Sequence, residues 1–197
     1  TMDMKEVRLN NGVEMPLMGY GIWQIAPAEC EQYVLEALKA GYRSIDTAQA
    51  YYNEEDVGEA VSKSGIPRKE IFLTTKIWIS NAGEEKAARS IDESLRKLKT
   101  DYIDYGFIHC LDEIKDWETF QENGILDYIY ELKKAGVVHH VGFSSHTPEV
   151  IRKVLDEVGP DLLMFSINPA YDSGEGEYAK GSLSARNEVY RRCEAEG

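Results

Sequence analysis

Between Leu17 and Gly197, short runs rich in β-branched and aromatic residues alternate with segments whose apolar positions recur every three or four residues. The first pattern is that of a buried strand, the second that of a helix with one face on a core. Leu17–Ile22 predicts a strand, and Pro27–Ala40 a helix with Cys30, Val34, Ala37 and Leu38 on one face, stopped at Gly41. Tyr42–Thr47 is a second strand, followed by a helix capped at Asn53 that shares Val57, Ala60 and Val61 and ends near Gly65. Ile71–Ile77 and Tyr102–Ile108 are the third and fourth strands, separated by a helix over Glu84–Leu98 with Ala88, Ile91, Leu95 and Leu98 in phase. One helix is expected within Asp116–Ala135, carrying Ile125, Ile129 and Leu132, with Gly136 as its stop. Val137–Ser145 then predicts a fifth strand, and Pro148 opens a helix presenting Ile151, Val154, Leu155 and Val158. Leu162–Asn168 is the sixth strand; after it Leu183 and Ser184 read as staple and cap of a helix carrying Val189, Tyr190 and Cys193.

An unbroken strand–helix alternation predicts a parallel α/β fold, here of the (β/α)8 TIM-barrel type. At roughly 30 residues per unit, from about 250 residues for eight units, the chain holds about six and is expected to form an incomplete barrel. Ahead of them, Val7-Arg8-Leu9 and Val13-Glu14-Met15 flank Asn10-Asn11-Gly12, which predicts a hairpin at the bottom of the barrel. Residues 1–197 are expected to form a single partial barrel domain. Six strands would leave edges on the first and last, so a cover is expected: a longer natural chain, a second copy forming a homo-oligomer over the open edge, or an open non-barrel sheet.

Composition narrows the partners. The 197 residues are 43% hydrophobic and 29% charged, enough apolar material for one sizeable core. No apolar run reaches about 18 residues and the N-terminal residues lack a signal-type stretch, so no membrane partner and a cytoplasmic location are expected. A net charge of −13 argues against nucleic acid, whose phosphates need clustered Lys and Arg. Cys30, Cys110 and Cys193 have no metal-ligand spacing, and the adjacent His139 and His140 point to opposite faces of a strand, so no metal is expected. The glycines of Asp172–Glu177 stand among acids that would repel phosphate, which leaves an acidic loop rather than a phosphate-binding one.

Chemistry enters at the strand ends. Asp46, Lys76 and His109 each stand at or just past the downstream end of a predicted strand, and Tyr51 lies in the loop after Asp46. Parallel strands of a barrel open their carboxyl ends on one face, so the four are expected to meet. A lysine ammonium beside a phenol is expected to lower its pKa, with the carboxylate keeping the lysine charged and the histidine donating to a substrate oxygen. Such a set suits protonation of a carbonyl that receives a hydride.

The stretches Gly41-Tyr42-Arg43-Ser44-Ile45-Asp46 through Asn53-Glu54, Phe72–Trp78, Asp101-Tyr102-Ile103-Asp104 running into His109, Leu9–Pro16 and Gly19–Gln24 resemble the aldo-keto reductase family. The resemblance implies an NAD(P)H-dependent oxidoreductase reducing aldehydes or ketones, with Asp46, Tyr51, Lys76 and His109 as catalytic tetrad and Trp23 and Trp78 as substrate-pocket walls. The implied cofactor is NADP (NADPH), with NAD as alternative, and the implied partner is a small-molecule carbonyl substrate. Where the family has Gly-Val-Ser-Asn for the nicotinamide carboxamide, this chain has Gly142-Phe143-Ser144-Ser145. Ser144 carries over, Ser145 replaces the asparagine, and Met164 stands where a glutamine is expected, with Ser166 and Asn168 as substitutes. The family's seventh strand brings an aromatic that stacks on the nicotinamide, and the loop after the eighth brings basic residues for the 2′-phosphate; neither falls within these residues. From His109 onward the chain is more similar to the branch carrying a C-terminal iron–sulfur module, although no cluster-binding cysteine motif is present. The alternative is a non-catalytic barrel that senses cofactor or binds a partner.

Overall fold

The computed structural model describes residues 5–9, 11–78, 83–166 and 180–197. Six strands lie side by side in chain order, every neighbouring pair parallel: β3 (Tyr20–Gly21), β4 (Ser44–Asp46), β5 (Phe72–Ile77), β6 (Ile103–Ile108), β7 (Val138–Ser144) and β8 (Leu162–Met164). Around them run α1 (Pro27–Ala40), α2 (Glu54–Lys63), α3 (Glu84–Leu98), α4 (Ile114–Glu122), α5 (Ile125–Lys134), α6 (Pro148–Glu157) and α7 (Leu183–Glu196). This is an incomplete (β/α)8 arrangement. The expected hairpin forms a separate antiparallel pair of β1 (Glu6–Arg8) and β2 (Glu14–Pro16), with Gly12 at φ +84° in its turn. Its Asn11 amide lies 3.4 Å from the His140 ring on β7.

The pleat sorts side chains between two layers. Leu73 of β5 packs into a buried cluster with Val34, Leu38, Val57 and Leu98, and Ile77 into another with Trp117, Phe143 and Val154. Phe72, Thr74 and Lys76 therefore face the other way, and the parallel register sets Asp46 beside Thr74 and Lys76 beside Phe107. At the interface of α2 with α3, a Cβ on Gly58 would lie 2.1 Å from the Lys97 carbonyl oxygen, so only glycine lets these helices approach this closely.

Four details depart from expectation. The predicted helix within 116–135 is two, α4 starting earlier at Ile114 and breaking at Gly124, whose φ of +71° an uninterrupted helix does not admit. The edge strands are shorter than predicted, because a strand with one neighbour is held only where it pairs; Asn168, the predicted end of the sixth, lies outside the described residues, as does the acidic 172–177 loop. The cap of α7 is Ser182, whose hydroxyl accepts from the Ala185 amide at 3.2 Å, rather than Ser184. On α3 the buried positions are Ala87, Ile91, Ser94 and Leu98, with Ala88 half-exposed. No helix among the described residues is long and apolar enough to cross a membrane, and no metal-binding group of His, Cys, Asp and Glu occurs among them.

Candidate active site

β4 delivers Asp46 to the carboxyl end of the sheet, and the chain then doubles back. The Thr47 amide bonds the Thr74 carbonyl at 2.9 Å, Gln49–Tyr51 make a single 3-10 turn, and Tyr52 takes a left-handed φ of +58°. Asn53 occupies the cap position of α2 but spends its side chain elsewhere. Its Oδ1 accepts from Thr47 Oγ1 at 3.0 Å and its amide donates to the Ile22 carbonyl at 3.2 Å, tying the loop to the end of β3. Tyr51 is thereby turned inward while Tyr52 is left exposed.

The Lys76 side chain, 1% exposed, donates to Asp46 Oδ1 at 2.5 Å, to the Thr47 carbonyl at 2.9 Å and to Tyr51 Oη at 3.3 Å. All three ammonium hydrogens are thus engaged. His109 follows β6, its amide on the Ile77 carbonyl at 3.1 Å. Its ring meets that of Tyr51 edge-on at 5.8 Å and that of Trp78 edge-on at 5.3 Å. The structure therefore brings Asp46, Tyr51, Lys76, His109 and Trp78 together; Trp23 sits half-exposed in the turn after β3.

Electrostatics here departs from the sequence reading in one respect. Burial, reinforced by the Asp46 charge and then by Cys110, raises the Tyr51 phenol above its usual pKa instead of lowering it. Burial lowers the Lys76 ammonium and raises the Asp46 carboxyl, each shift opposed by the other's charge. Seen from the phenol, an ammonium with a carboxylate 2.5 Å away is nearer a dipole than a charge, and the desolvation of Tyr51 wins. Burial and the Lys76 charge push His109 down to about 4, so it is neutral near pH 7. Its Nδ1 is buried without a hydrogen-bond partner among the described residues.

At the end of β7, Ser144 is buried and its Oγ accepts from the Cys110 amide at 2.8 Å. That bond uses an oxygen lone pair; the hydroxyl also meets the Cys110 thiol, a weak acceptor from which its hydrogen can turn to a carboxamide oxygen, so Ser144 fits the expected cofactor contact. Ser145 fits less well. Its Oγ accepts from the Thr147 amide of its own turn at 3.1 Å and donates toward Asp112 Oδ1, in the segment after β6, at 3.3 Å. Asn168, the third expected contact, lies outside the described residues.

Two groups escaped the sequence reading. Asp112 receives the His146 amide at 2.7 Å, the His146 ring at 2.9 Å and Lys180 at 3.4 Å. Burial works to raise its carboxyl, but the His146 hydrogen bonds and the charges of His146 and Lys180 outweigh that and hold it well below the usual carboxylate range. The other group is Gln49, Glu54, Thr75 and Ser94, bonded to one another beneath the Tyr51 loop. Glu54 stood inside the motif itself, yet its burial could not be seen at a helix start where carboxylates are ordinarily solvated. A cavity of about 610 Å³ lies away from the tetrad, along β8, α6 and α7, and is lined by Leu155, Leu162, Phe165, Val189 and Tyr190.

Residues 16–194 match the model of the aldo/keto reductase family. The chain belongs to this family. It is 33% identical over 189 residues to an aldo-keto reductase of Mycolicibacterium smegmatis, covering 93% of this chain and 66% of that protein. With methylglyoxal reductase DkgB of Salmonella typhi it shares 39% over 147 residues, 75% of this chain and 54% of the relative. Among solved structures, the aldo/keto reductase of Brucella melitensis superposes with a TM-score of 0.81 at 37% identity, over 98% of this chain and 70% of that one. The Bombyx mori aldo-keto reductase in complex with NADP gives 0.78 at 25% identity, over 100% and 65%. The chain thus spans about half to two thirds of the length of the curated relatives it matches.

Proposed function

We propose that this chain reduces the carbonyl of a small aldehyde or ketone to an alcohol, with NADPH, or alternatively NADH, as hydride donor. The reading is carried by the contact of the Lys76 ammonium with both Asp46 and Tyr51 Oη in a buried setting. A bound reduced nicotinamide supplies the hydride to the carbonyl carbon. As negative charge develops on the carbonyl oxygen, Tyr51 gives it the phenolic proton. A phenol of raised pKa still does this, because an alkoxide is a far stronger base than a phenolate. Lys76 stabilises the phenolate left behind, and Asp46 keeps Lys76 charged for that purpose. Neutral His109, with its proton on Nε2 and bare Nδ1 in the interior, donates to the same oxygen and orients it. Ser144 would hold the carboxamide of the nicotinamide, with Ser145 shaping the turn beneath it and Asn168 as a further contact. Trp78 and Trp23 would wall the substrate.

Relatives named methylglyoxal reductase make a small α-oxoaldehyde the first substrate to try. Titrating NADPH and NADH against tryptophan fluorescence, and then following absorbance at the nicotinamide band with methylglyoxal present, tests the proposal. Saturable quenching followed by substrate-dependent oxidation is expected. Saturable binding without reduction of any aldehyde or ketone would leave a cofactor-binding protein and refute the reductase reading.

A further inference from the structure

Tyr51 is bracketed by two side chains that turn away from the site and into the layer beneath α3. Gln49 donates to Ser94 Oγ and to the Ser90 carbonyl, each at 3.1 Å, while its Oε1 accepts from the Trp78 amide at 3.1 Å. Glu54 accepts from Thr75 Oγ1 at 2.6 Å on one oxygen and from Ser94 Oγ at 3.1 Å on the other. Both arms meet at Ser94, and they reach the chain on either side of Lys76, at Thr75 just before it and at Trp78 two residues after it, just past the end of β5. The polarity runs one way: Gln49 donates to Ser94, and Ser94 and Thr75 donate to Glu54.

A helix-opening carboxylate that merely complements the α2 dipole would stay in water, as Glu55 does. Glu54 is 3% exposed and has no ion-pair partner among the described residues, a costly placement for a carboxyl group. As arranged here both of its oxygens accept, whereas a glutamine amide offers one acceptor. Packing alone does not hold these groups, since Gln49, Thr75 and Ser94 border a cavity of about 30 Å³. We propose that Glu54, with Gln49, is the positioning residue of the site: it latches the Tyr51 loop onto β5 and sets the approach of Tyr51 to Lys76. The proposal rests on the reductase reading for its consequence in turnover, but not for its geometry.

Glu54→Gln keeps the volume and removes one acceptor. Its kcat is expected to fall at least about tenfold with KM for cofactor unchanged, since displacements near 1 Å cost on the order of 100-fold. Glu55→Gln removes the same charge from the same helix turn and should keep wild-type kcat. Thr75→Val should reproduce the Glu54→Gln defect and add little to it in the double variant, while Thr75→Ser recovers most of the loss. A readout without turnover is the 13C ring resonance of Tyr51, assigned with Tyr51→Phe, which should shift in Glu54→Gln and in Thr75→Val as the edge-on contact with His109 changes. If wild type reduces no carbonyl, the function falls and that resonance alone decides the positioning role. Wild-type kcat and an unmoved resonance in folded Glu54→Gln and Thr75→Val would overturn the proposal, and so would an equal loss in Glu55→Gln.

Discussion

At the scale of single residues the decisive quantity is the net field at Tyr51. A bare ammonium about 4 Å from a phenolate is worth on the order of 4 kcal/mol at an effective dielectric near 20. A carboxylate 2.5 Å from the ammonium cancels much of it, which is why burial governs the resting phenol. The meeting of Asp46, Tyr51, Lys76 and His109 was legible in the sequence because strand-end positions are legible. The sign of the Tyr51 shift was not, because it depends on a lysine–aspartate distance and a depth of burial that no motif encodes. His109 offers a separate check. Its folded pKa of about 4 lies below the ordinary 6.5, so between those values the unfolded ring binds a proton that the folded ring does not. Stability is therefore lost as pH falls through that window, by up to about 3 kcal/mol from this ring. Urea unfolding of His109→Gln at about pH 6.5 and pH 4.5 should show a smaller loss than wild type; equal losses would mean that the buried ring is not held neutral.

At the scale of elements, the central strands β5, β6 and β7 were readable almost to the residue, since β-branched and aromatic residues cluster in each. The break at Gly124 was not, because Ile114–Lys134 keeps a helical period across it. The edges β3 and β8 are short, which limits their use as templates, but among the described residues neither has a second neighbour. Leu17 and Met18 stand more than half exposed beside β3, and the apolar cavity lies along β8. Produced as these 197 residues alone, the protein is expected to associate through this surface. Size-exclusion chromatography with light scattering should give a dimer or larger species, with binding of a hydrophobic dye at low concentration. A monomer with a single cooperative unfolding transition and no dye binding would show that the edges are sealed within the chain.

At the scale of the whole molecule, three successive strands and the loop between two of them carry four polar groups to one end of the sheet, while helices α1 to α6 pack their apolar residues against one of its faces. The position of the site follows from parallel connectivity, and its chemistry from a buried ion pair in contact with a phenol. Turnover is expected to depend on that phenol. The direct measurement is steady-state carbonyl reduction by Tyr51→Phe alongside cofactor binding and the unfolding midpoint. A kcat lower by at least about 100-fold is expected, with cofactor affinity and midpoint unchanged. A folded Tyr51→Phe protein that binds cofactor and turns over at the wild-type rate would contradict it.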